Sequence, residues 1–80
     1  MSQLLKLFGR VRNNPKTVKF EELDKLLLAA EFKRRQPRSG SSHYFYSKDG
    51  KYLSVPRKSP YIKETYVEKA IEAIGDYFDK

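Results

Sequence analysis

Eighty residues, 39% of them hydrophobic and none of them cysteine, describe one small domain with a single modest core. That excludes separate cofactor and substrate domains, a disulfide framework and a cysteine-based zinc site. The formal charge of +7 attracts polyanions, of which nucleic acid is the commonest in a cell.

The charge is concentrated. Lys33, Arg34, Arg35, Arg38, Lys48, Lys51, Arg57 and Lys58 stand against Asp49 alone between positions 33 and 58, while the rest of the chain is balanced. A solvated surface that only keeps a small protein soluble is the plain alternative to a polyanion site. No apolar run approaches the roughly 20 residues that cross a bilayer. Met1 to Phe8 carries one lysine and a short apolar patch without the long apolar stretch of a signal peptide, so cytoplasm is the expected compartment.

In chain order, Ser2 is a cap for a first helix in which Leu4, Phe8 and Val11 recur at helical spacing. Asn13-Asn14-Pro15 ends it, because proline lacks a backbone donor and biases the residue before it away from helical angles. Phe20, Leu23, Leu26, Leu27 and Ala30 mark a second helix, with Glu21, Glu22 and Asp24 near its positive end but a poor capping residue in Lys19. Glu31 to Gln36 reads as a short basic strand, and Pro37 to Ser42 as the loop into a second strand that opens at His43.

Tyr44, Phe45 and Tyr46 favour a half-buried pleated surface. Asp49-Gly50 is a two-residue hairpin signal, since both positions tolerate positive φ. A loop of two or four residues sets Ser47 opposite Tyr52, Tyr46 opposite Leu53, Phe45 opposite Ser54 and Tyr44 opposite Val55. Leu53 and Val55 then carry Tyr44 and Tyr46 toward the helices, and His43 faces outward with Phe45 and Ser54. An odd loop would invert this and make His43 a half-buried core residue. Pro56 closes the third strand. Ser59-Pro60 leads to a last helix from about Glu64, with Tyr66, Val67, Ala70, Ile71, Ile74, Tyr77 and Phe78 on its apolar stripe. The expected fold is α+β, helices packed on one face of a three-stranded antiparallel sheet in the order α-α-β-β-β-α.

His43 is the only histidine, and the ten carboxylates show no clustered ligand spacing, so neither a metal nor another cofactor is expected. Ser41 and Ser42 adjoin His43, but strand geometry aims neither at its ring and no nucleophile elbow or glycine-rich phosphate loop is present. Those serines are better suited to shaping the loop or bonding a phosphate oxygen. Metal-free RNA cleavage needs a base for the ribose 2′-hydroxyl and cations for the phosphate. His43 is the candidate base; Lys33, Arg34, Arg35, Arg38, Arg57 and Lys58 are the candidate phosphate contacts. With no second histidine as general acid, a modest rate is expected. A non-catalytic RNA-binding module using the same basic strands, with Phe45 for stacking, is the competing expectation, and an adaptor for an acidic protein a third.

From about Phe20 to Ile74 the chain resembles the HicA-type mRNA interferase toxins of prokaryotic type II toxin-antitoxin modules. The resemblance is carried by Phe20-Glu21-Glu22-Leu23, Gly40-Ser41-Ser42-His43-Tyr44, Asp49-Gly50, Val55-Pro56-Arg57 and Tyr66-Val67, in that order and spacing. It implies a double-stranded-RNA-binding-like fold over residues 1–80, with 1–15 as a helical extension. It also implies an endoribonuclease in which His43 is catalytic and Gly40, Ser41 and Ser42 form its approach loop. The implied substrate is mRNA, and the implied partner a HicB-type antitoxin covering His43 and the basic face. The chain departs from the family pattern in an extra serine before the histidine, and in Lys58, where many members have histidine.

Overall fold

The structure is a computed structural model that describes residues 3–35, 43–57 and 60–78. Its elements are α1 (Gln3–Asn13), a 3-10 turn (Pro15–Thr17), α2 (Phe20–Ala29), β1 (Lys33–Arg35), β2 (His43–Lys48), β3 (Lys51–Pro56) and α3 (Glu64–Phe78). The strands form one antiparallel sheet in the order β1-β2-β3. This is the expected α+β architecture and element order. Among the described residues no helix is long and apolar enough to cross a membrane.

The core lies between the three helices and one sheet face. Val11 from α1, Leu23, Leu26 and Leu27 from α2, and Val67, Ala70 and Ile74 from α3 are fully enclosed, together with Tyr46 and Val55 from the sheet. Each helix contributes residues at the i, i+3, i+4 spacing that puts them on one stripe. The first helix is thus part of the core: Phe8 stacks on Phe78 with ring centroids 4.9 Å apart, a geometry favoured by the ring quadrupoles. Arg10 also pairs with Glu22 of α2. A backbone bond from the Ile62 N–H to the Val18 carbonyl, 2.8 Å, ties the lead-in to α3 to the lead-in to α2.

Both ends of α2 have local causes. Lys19 has no side-chain acceptor for the first turn, yet its backbone N–H donates to the Glu22 carboxylate at 3.0 Å, the reciprocal half of a capping box. At the other end the Phe32 N–H reaches the Leu27 carbonyl and the Glu31 N–H the Leu28 carbonyl, the two bonds of a Schellman motif. Glu31 occupies its left-handed position with φ 71°, and Phe32 is buried as the hydrophobic residue that follows. The strand expected from Glu31 therefore starts two residues later, at Lys33, because the helix end consumes Glu31 and Phe32. Lys48 completes this end, its Nζ donating to the Ala30 carbonyl at 2.8 Å, a cation placed at the negative pole of the helix.

The hairpin has the expected register. Asp49 and Gly50 both have positive φ, 48° and 83°, as a two-residue type I′ turn requires. His43 pairs with Pro56, Tyr44 with Val55, Phe45 with Ser54, Tyr46 with Leu53 and Ser47 with Tyr52. Because side chains alternate across a strand, this settles which residues face the helices and which do not.

Candidate nucleic-acid interface on the open sheet face

The face turned away from the helices is a lattice of three rows. Pairing of β1 with β2 sets Lys33 opposite Ser47 and Arg35 opposite Phe45. One row therefore holds Lys33, Ser47 and Tyr52, the next Arg35, Phe45 and Ser54, and the last His43 and Pro56. Directly opposed side chains in such a sheet have Cβ atoms roughly 4.5–5.5 Å apart, and diagonal neighbours roughly 7–8 Å. Phe45 is 49% exposed and Tyr52 80%, so two large rings project from a surface that also carries a guanidinium and an ammonium group.

His43 stands at the first position of β2, half-buried. Ser54, its diagonal neighbour on β3, lies with Oγ 3.4 Å from Nδ1, a long contact. In the tautomer whose Nδ1–H donates to Ser54, Nε2 carries the lone pair, and that nitrogen is the one able to take a proton. Arg35 is diagonal to His43 across β1, through its partner Phe45.

The sheet divides the basic segment between its two sides. Lys33 and Arg35 share the open face with His43 and Phe45, whereas Arg34, Lys48, Lys51 and Arg57 lie on the helix side. Arg34 makes a two-pronged contact with Asp24, Nη1 lying 3.0 and 2.8 Å from the two carboxylate oxygens, and sits 5.8 Å from the Tyr44 ring centroid. Hydrogen bonding and charge attraction by Asp24 hold its pKa above the ordinary arginine value. Asp24 also accepts from the Tyr46 hydroxyl at 2.6 Å. Burial first, then that bond, push the phenol well above its usual range. The Arg57 guanidinium lies 5.8 Å from the Phe20 ring centroid, and the Lys48 ammonium 5.1 Å from that of Tyr77, both within cation–π range.

Of the residues singled out from sequence, the structure thus brings together His43, Phe45, Lys33 and Arg35, and turns Arg34 and Arg57 to the other side. Arg38, Gly40, Ser41, Ser42 and Lys58, and the Ser2 cap, lie outside the described residues. Two participants went unread in the sequence. Tyr52 was legible only as the partner of Ser47, and its place on the open face follows from that register; Ser54 was placed on that face without its contact to the imidazole. Among the described residues no three His, Cys, Asp or Glu side chains are grouped to hold a metal ion. No protein-family model, curated protein or solved structure matches the chain.

Proposed function

We propose that the chain is a HicA-type toxin, a metal-independent endoribonuclease of the cytoplasm that cleaves mRNA with His43 as its base and is silenced by a HicB-type antitoxin. The observation that carries this reading is the outward position of His43, on the same sheet face as Phe45 and Arg35 and in contact with Ser54. The resemblance of its sequence motifs to that toxin family points the same way.

In the proposed reaction His43 takes the proton of a ribose 2′-hydroxyl while that oxygen bonds to the adjacent phosphorus. The bond from phosphorus to the 5′-oxygen breaks, and the leaving oxygen takes a proton from the imidazolium or from water. The products are a 2′,3′-cyclic phosphate and a 5′-hydroxyl. A positioned base is typically worth ~10² to 10⁴ in rate, and Arg35 is placed to offset charge developing on the phosphate. DNA, lacking the 2′-hydroxyl, has no equivalent route. An antitoxin covering this face would occlude the base and the cations together.

Expression in cells is the direct test. Wild-type protein arrests growth, while a His43→Ala chain that melts at the wild-type temperature does not. Equal arrest by the two would remove His43 from the mechanism. A second reading, a non-catalytic RNA-binding module, is favoured by the two exposed rings of Phe45 and Tyr52, which suit base stacking with or without cleavage.

A further inference from the structure

Phe45 and Tyr52 belong to adjacent strands and adjacent rows, so they are diagonal neighbours, roughly 7–8 Å apart by the geometry of paired strands. In a duplex the bases are stacked on one another and their faces are covered, so a duplex cannot lay neighbouring bases on both rings. A single strand with its bases splayed can. Beside the rings, Arg35 is the partner of Phe45, and Lys33 the partner of Ser47 in the row of Tyr52. The cations of the edge strand β1 therefore follow the same diagonal as the aromatic residues.

Lys33, Ser47 and Tyr52 also line a groove of about 320 Å³ at the hairpin end of the sheet, at the small end of the roughly 300–1,000 Å³ of ligand sites. Glu31, Asp49 and Lys48 line it too, so two carboxylates and two ammonium groups share it. The carboxylates of Glu31 and Asp49 can accept hydrogen bonds from base amino groups, which suits a base in the groove with the sugar-phosphate backbone along β1.

Resting on the reading of the open face as an RNA interface, we infer that Phe45 and Tyr52 form a two-base stacking platform for single-stranded RNA. Arg35 and Lys33 hold the intervening phosphates, and the platform sets which linkage His43 meets. The ligand class is an unpaired RNA segment rather than a duplex.

The test uses the full chain with His43→Ala, so that bound RNA stays intact, and a short single-stranded RNA carrying 2-aminopurine, compared with the same strand annealed to its complement. Expected are single-strand binding about tenfold or more tighter than duplex binding, and loss of 2-aminopurine fluorescence on binding. Phe45→Leu and Tyr52→Leu each weaken single-strand binding by about fivefold to hundredfold, while Phe45→Trp retains it. Both positions are exposed, and unchanged melting temperatures show that the fold survives. Equal affinity for duplex and single strand, or wild-type affinity in both leucine variants, overturns the platform. Absence of binding to either RNA form also overturns it. The two readings fail separately: cleavage that needs His43 but not the rings leaves the nuclease without the platform, and ring-dependent binding by a wild-type chain that cuts no RNA leaves the platform without the nuclease.

Discussion

Asp24→Ala should be among the most damaging substitutions that leave the apolar core intact. Tyr46 is only 1% exposed, and its hydroxyl donates to the Asp24 carboxylate at 2.6 Å, a short charge-assisted bond. A hydrogen bond to a charged group contributes about 1.5–3 kcal/mol, and a buried donor left without a partner costs a comparable amount. Arg34 reaches the same carboxylate from solvent, with its side chain 34% exposed, so screening leaves its share small. Asp24→Ala should therefore cost about 2–3 kcal/mol, on the order of 10–20 °C in melting temperature for a domain of this size. Tyr46→Phe keeps the ring packed and leaves Asp24 paired to Arg34, and should cost about 1.5–2 kcal/mol, the lower part of the range for a bond to a charged group. Once Tyr46 is phenylalanine no hydroxyl is stranded, so Asp24→Ala in that background should cost clearly less than alone, a coupling of about 1–2 kcal/mol. Urea denaturation of the four proteins at one pH measures this cycle. Strict additivity, or an Asp24→Ala protein melting within about 2 °C of wild type, would refute the network.

The same phenol gives a pH signature. Its folded pKa lies above the unfolded value of 10.0, so the stability it contributes is fully present below pH 10 and is lost progressively as pH rises above that value. The melting temperature of wild type should fall more steeply above pH 10 than that of Tyr46→Phe; parallel curves would contradict the assignment. Glu31 holds the left-handed position of the α2 cap at φ 71°, which costs an L-residue about 1 kcal/mol or more relative to glycine. Glu31→Gly should accordingly raise the melting temperature by roughly 4–8 °C, and a decrease would mean that the cap is not formed as described.

Much of this was legible in the sequence where two constraints met. Asp49-Gly50 dictates a two-residue turn, and the alternation of Leu53 and Val55 assigns the faces, so the register and the outward position of His43 followed together. Strand β1 offered no such alternation, being Lys33-Arg34-Arg35 throughout, and its three cations looked equivalent until pairing put Arg34 beside Tyr46 and its neighbours beside Ser47 and Phe45. Asp24 read as an acid favouring the helix start. Its actual partners are 10 and 22 residues away, beyond any local pattern. Lys48 belonged to the basic segment by position, yet it reaches back to cap α2. The start of β1 was placed two residues early because glutamate, not glycine, takes the left-handed residue after α2. The helix before Pro15 lies outside the span of the resemblance, yet its Phe8 and Val11 are buried in the core, as their helical spacing implied.

Cleavage of purified RNA in the presence of a chelator, with the new ends identified chemically, bears most directly on the role of His43. The account predicts fragments ending in 2′,3′-cyclic phosphate and 5′-hydroxyl from the wild-type chain, with the rate reduced by about 10² or more in a folded His43→Ala protein. Intact RNA after prolonged incubation with the wild type, or the same cleavage rate from both proteins, would contradict it.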